Sequence, residues 1–203
     1  MEKFLRPMKY FRLARYLGIC LIICLLSNCI PSLHPLYTDN VLVFDDLLLG
    51  SFESIDEEIW VFEKRDEKSY SVIISHEESE VELIGHLVKL GDNYFMDFYP
   101  KLNSDLFSVM GEKGFNFWYD MHFVPCHTFS KIILNGNSLQ INLLNNNWFV
   151  EIIEAGYTGV KYEYTEDEML VLTSSSIELQ EFVKLYANDE DAFPETLKLE
   201  RKL

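Results

Sequence analysis

Positive charge is scarce in this sequence and gathered at one end. Of 17 Lys and Arg residues set against 33 Asp and Glu, five (Lys3, Arg6, Lys9, Arg12 and Arg15) precede the first long apolar run, where only Glu2 opposes them. From residue 29 onward, 12 basic side chains face 32 acidic ones, a net charge of −20. Nucleic-acid binding requires clustered Lys and Arg to displace counterions from phosphates, so that class is excluded, as is electrostatic attachment to anionic lipid. Long apolar runs are also missing. The longest, Tyr16 to Leu26, has 11 residues and is followed by Ser27, Asn28 and Pro31. A membrane span needs ~20 apolar residues, so the run has the length of a signal-peptide core rather than of a permanent helix. Residues 29–203 contain no Gly-x-Ser-x-Gly, Walker loop, His-Glu-x-x-His or dinucleotide fingerprint, and no catalytic function or cofactor is expected.

What is present completes the targeting signal. Leu26-Ser27-Asn28-Cys29 resembles the lipobox of bacterial lipoproteins, in which a Leu and two small residues precede the cysteine that carries the lipid, with Asn28 here where Gly, Ala or Ser is usual. The resemblance implies a diacylglyceryl thioether on Cys29, cleavage before it, and an acylated N-terminus in the bacterial cell envelope, the outer membrane being the expected site. Cys20 and Cys24 lie inside the apolar run, so Cys126 would be the sole remaining thiol and an intramolecular disulfide is excluded. The order Cys29, spacer, His34-Pro35-Leu36-Tyr37-Thr38 is similar to the start of uncharacterised Bacteroidota lipoproteins, which implies an address and no chemistry.

Three regions are expected: a signal peptide over 1–28, a lipidated Cys29 and tether over 29–46, and a single β-rich domain over 47–203. The tether reading rests on Pro31, Pro35 and the lack of periodicity. Beyond it the apolar period is two, as half-buried strands require. Strands are expected at Ser51–Phe52, Ile59–Glu63, Tyr70–Ile74, Val81–Leu90, Tyr94–Phe98, Phe129–Leu134, Leu139–Leu144, Val160–Tyr164, Met169–Thr173 and Thr196–Glu200. Gly85 suggests a bend and Asn135-Gly136 a tight hairpin. Helices are expected after Asn145–Asn147, carrying Trp148, Phe149, Ile152 and Ile153, and after a Ser175/Glu178 capping box, carrying Leu179, Phe182, Val183 and Tyr186. The fold class is mainly β: an antiparallel curved sheet or small barrel with one or two helices packed on it. Gly50-Ser51-Phe52 resembles the Gly-x-Trp start of lipocalin-type barrels, with Phe52 in place of Trp, and implies calycin-like architecture as one option.

Four constellations could carry function. His122, Cys126 and His127 suit zinc by residue type, but in a strand His122 and Cys126 stand ~13 Å apart and His127 points the other way. Cys126 with His122 or His127 as base and Asp120 as orienting group could form a nucleophile, yet no basic neighbour or helix N-terminus activates the thiol. The acidic stretches Glu163, Glu166–Glu168 and Asp189–Asp191 offer carboxylates without a calcium-loop spacing. Phe115, Phe117, Trp118 and Tyr119, on a segment hinged by Gly111 and Gly114, form a candidate contact surface, or contribute their rings to the core. The expected function is a lipid-anchored interaction or structural module with an envelope protein as partner. The alternative is lipocalin-like binding of an apolar ligand, which a continuous interior cavity would favour.

Overall fold

The computed structural model describes residues 30–101, 124–157 and 159–202. Eight antiparallel strands close into a barrel. A meander of seven, β2 (Gly50–Ser54), β3 (Ile59–Lys64), β4 (Tyr70–His76), β5 (Ser79–Leu90), β6 (Asn93–Pro100), β7 (Thr128–Asn135) and β8 (Ser138–Leu143), is completed by the C-terminal β11 (Leu197–Arg201), which pairs with β8 on one edge and β2 on the other. The short β1 (Leu42–Val43) pairs with Leu87 and Val88 of β5. Each expected barrel strand is present within a residue or three of its expected ends. The turns have the chemistry their backbones need: Gly91 and Gly136 close the β5–β6 and β7–β8 hairpins at φ of 63° and 60°.

The long β5 makes closure possible. Residues 79–85 pair with β4, whereas residues 83–90 pair with β6 on the opposite edge. Gly85 pairs on both edges, with Tyr70 and Phe98, and a Cβ there would stand 2.9 Å from Val72 Cγ2 and 3.0 Å from Met96 Sδ. Gly85→Ala is therefore expected to lower stability by about 1–3 kcal/mol through overpacking, read as a lower denaturation midpoint in urea. An unchanged midpoint would mean that Met96 swings aside without cost.

The barrel is filled. Phe52, Phe62, Tyr70, Val72, Leu87, Met96, Leu139 and Leu199 point inward and are buried. Near one end, a 3-10 turn over Asp46–Leu48 leads into β2, and the Arg201 guanidinium lies 4.4 Å above the Phe52 ring while donating to the carbonyls of Leu49 (2.7 Å) and Leu47. This ties the first and last barrel strands together.

A second core lies outside the wall. On β5, β6 and β7 the outward positions Val88, Leu90, Phe95 and Phe129 are as apolar as the inward ones, because two helices cover them. Helix α1 (Asn146–Glu154) is capped by Asn145, whose side chain accepts from the N–H groups of Asn147 and Trp148. Helix α2 (Ser176–Tyr186) starts with both halves of the Ser175/Glu178 capping box, and the Lys161 ammonium with the Ser175 bonds holds the Glu178 carboxyl down at about 2. Phe182 of α2 packs with Trp148, Phe149, Tyr157 and Tyr186 at centroid distances of 5.3–6.2 Å. A hairpin of β9 (Tyr162–Tyr164) and β10 (Leu170–Leu172) completes this layer.

The tether expectation needs correction from Ile30 onward. Ile30 is 4% exposed and Leu36 fully buried in the second core. Ser32 exchanges both backbone hydrogen bonds with His127, while Leu33 N–H and the Pro31 carbonyl bond to Leu172, so the segment joins barrel and hairpin. Prolines and missing periodicity read as a linker. Here the polar backbone is satisfied by neighbours far along the chain, which leaves no local pattern.

Candidate functional site

The most polar buried position on the barrel lies where this N-terminal segment crosses β5 and β6. His86 and Asp97 are direct cross-strand partners, both facing outward because Leu87 and Met96 face in. Asp97 is fully buried. Its Oδ2 accepts the Leu36 N–H at 2.7 Å, and its Oδ1 lies 2.8 Å from Nδ1 of His127, where the carboxylate accepts the ring N–H. Burial pushes the Asp97 carboxyl above its ordinary range, against the pull of both bonds. The His127 ring leans on Tyr99 at 4.5 Å, while Tyr37 stacks on His86 at 4.2 Å. Burial lowers the proton affinity of His86 and raises the Tyr37 phenol above its usual value.

A carboxylate that orients an imidazole is half of a general-base arrangement. The other half is a nucleophile within reach of the ring, and among the described residues none bonds to it. Cys126, the sequence candidate, is half-buried and donates its thiol to the Val124 carbonyl at 3.6 Å, with burial pushing its pKa up. His127 is committed to Asp97 instead. The hydrogen bonds and ring stacking of the cluster join four stretches of chain: 36–37, β5, β6 and the entry to β7.

The other candidate residues separate in space or fall outside the described residues. Cys29 does so, as do Phe115, Phe117, Trp118, Tyr119, Asp120 and His122, together with Gly111 and Gly114. Among the described residues no three of His, Cys, Asp and Glu are grouped to hold a metal ion. Glu163 and Glu166–Glu168 belong to the β9–β10 hairpin, whereas Asp189–Asp191 follow α2.

Asp97, His86 and Tyr37 were not singled out from sequence. Asp97 did carry a signal: a lone carboxylate inside Phe95-Met96-Asp97-Phe98-Tyr99 has to be either a solvated outward residue or a buried one with donors, and the neighbouring strand supplies a His opposite it.

Two concavities among the described residues bear on function. One opens at the end of the barrel marked by Gly136, with about 280 Å³ lined by Leu47, Leu48, Leu87, Tyr94, Ile132 and Leu134 and by the acidic Asp45. The other lies outside β7 and β8 and is polar. Comparison with protein-family models, curated proteins and solved structures finds no match to this chain in any of the three.

Proposed function

We propose that this chain is a bacterial envelope lipoprotein, cut before Cys29 and held to the membrane by lipid on that residue, whose barrel serves as a protein interaction or structural module without a catalytic step. The observation that carries the module reading is the filled interior. Every barrel strand contributes inward side chains that are buried, Ser130 and Ile132 of β7 among them, and the opening at the Gly136 end holds about 280 Å³. Ligand pockets run from roughly 300 to 1,000 Å³, so the available space suits a small apolar group at most. A protein whose inside is occupied by its own side chains offers its outer surface for recognition.

The same opening favours a second reading. Its Leu, Ile and Tyr lining, together with the Gly50-Ser51-Phe52 start, is consistent with lipocalin-like capture of a small apolar ligand. Native mass spectrometry of the full-length protein, extracted from envelopes in mild detergent, separates the two. The interaction reading expects a co-extracted protein and no stoichiometric small-molecule mass. A bound apolar molecule released on unfolding, with no protein partner, would overturn it in favour of the ligand reading.

A further inference from the structure

The barrel mouth at the Gly136 end is apolar except for one carboxylate. Of the residues that line it, Asp45 alone is charged. Its backbone is pinned from the barrel interior: the Asp45 N–H donates to the Tyr70 phenol oxygen at 2.7 Å, and that phenol donates in turn to the Asp45 carbonyl at 3.1 Å. Tyr70 is fully buried, so the position is fixed. On the side chain, Oδ1 accepts the Leu47 N–H at 2.9 Å and caps the 3-10 turn, which leaves Oδ2 without a bond among the described residues. Beyond the turn, Leu48 is buried, whereas Leu47 stands 67% exposed and Tyr94 37% exposed beside the opening. Large apolar side chains left in water around a concavity mark a contact surface.

The carboxylate decides what can lie there. A neutral hydrocarbon would cover Asp45 without replacing its water, which is costly. A fatty acid or another anionic amphiphile would set a second anion against it, on a chain whose net charge from residue 29 onward is −20. An ammonium gains a charge-assisted hydrogen bond at Oδ2 while its hydrocarbon covers the exposed leucine and tyrosine. A competing cation, Lys89, holds its ammonium 5.3 Å from the centroid of the Tyr94 ring, but it is exposed and does not line the opening. The size is bounded too. A space of about 280 Å³ falls just under the range of ligand pockets, roughly 300–1,000 Å³, so the chain must be short.

We propose that the barrel mouth binds a short-chain apolar amine, with an ammonium N–H donated to Asp45 Oδ2 and the hydrocarbon set against Leu47, Leu134 and Tyr94. This rests on the ligand reading above and gives that ligand its class.

The test uses full-length protein in phosphatidylcholine nanodiscs, with empty discs as the blank, titrated calorimetrically with hexylamine, hexanol and hexanoate at neutral pH and physiological salt. Hexylamine is expected to bind about tenfold tighter than hexanol, the worth of one hydrogen bond to a charged group, and hexanoate about tenfold weaker than hexanol. Asp45→Asn keeps an oxygen to cap the turn and should bring hexylamine down to the affinity of hexanol, while hexanol itself changes less than about twofold. Leu47→Ser should weaken all three ligands by a common factor, and because Leu47 is exposed this variant still locates the site if Asp45→Asn does not fold. Glu166→Gln removes one charge from the β9–β10 hairpin and should change hexylamine affinity less than about twofold. Equal affinity for hexylamine and hexanol, an amine advantage that persists in Asp45→Asn, equal weakening by Glu166→Gln, or hexanoate as the tightest ligand, which would hand the opening to Lys89, each overturns the amine assignment. If hexanol still binds in a way that depends on Leu47, the ligand reading survives that failure; if none of the three binds, both fall and the interaction reading stands alone.

Discussion

Replacing Asp97 by Ala is expected to destabilise the protein by about 2–6 kcal/mol, the cost of leaving two buried N–H donors without their acceptor. The carboxylate itself is held at a cost, as its raised pKa shows, so the loss does not measure a strong attraction. It measures what is left behind. Without the two oxygens, the Leu36 N–H and the His127 ring N–H lose their acceptor in a place that water reaches poorly, His127 being only 12% exposed. The damage also spreads along the chain, because Leu36 belongs to the second core and His127 exchanges backbone hydrogen bonds with Ser32. Asp97→Asn keeps one acceptor and the side-chain volume, and should cost less, about 1–3 kcal/mol. Urea denaturation followed by tryptophan fluorescence reports both, with Trp60 in the barrel core and Trp148 in the outer one. A loss below about 1 kcal/mol for Asp97→Ala would mean that the N-terminal segment is held by apolar contacts alone. Divergent transitions of Trp60 and Trp148, each followed in a variant with the other two of the three tryptophans replaced by Phe, would mean that the cores unfold separately.

That the two cores share one wall explains which parts of the fold were legible in the sequence. Alternation marked the strands that face solvent on one side, such as Leu139, Ile141 and Leu143 of β8. The capping box and the helical spacing of Leu179, Phe182 and Val183 marked α2. Val81 to Leu90 departs from that alternation, with Leu83 beside Ile84 and Leu87 beside Val88, and the reason is now visible: Leu83 and Leu87 serve the barrel while Val88 and Leu90 serve the outer core. Closure was not legible. It depends on Leu199 meeting Ser54 and Leu139, contacts between residues far apart in sequence that leave no local trace. The same holds for the site. Asp97, His127 and Leu36 come together from three separate stretches, and Asp45 is set at the barrel mouth only once Tyr70 holds its backbone. The aromatic segment with Phe115, Phe117, Trp118 and Tyr119 lies outside the described residues, so its role stays a sequence-based expectation.

Cys29→Ser is expected to abolish membrane retention, and the fold makes the result informative. Stable anchoring takes two acyl chains or one chain with a basic patch, whereas from residue 29 onward the chain has a net charge of −20 and so repels anionic lipid. In chains cut before residue 29, no second signal replaces the thioether. The expected readings are loss of incorporated labelled palmitate and a shift from the detergent phase to the aqueous phase. Unchanged detergent partitioning in the variant would sink the lipid reading. The packing of Ile30 adds a geometric consequence. Consecutive Cα atoms stand about 3.8 Å apart, so a lipid on Cys29 enters the bilayer within one residue of a side chain buried in the outer core. Under this proposal no flexible leader separates membrane and barrel, and the strip formed by Pro31–Leu33 with the β10 edge stands beside the lipid surface. Insertion of a Gly-Ser spacer between Cys29 and Ile30 would then leave palmitate labelling intact while making this strip newly accessible to protease added to intact vesicles. Equal protection with and without the spacer would place the barrel clear of the membrane already.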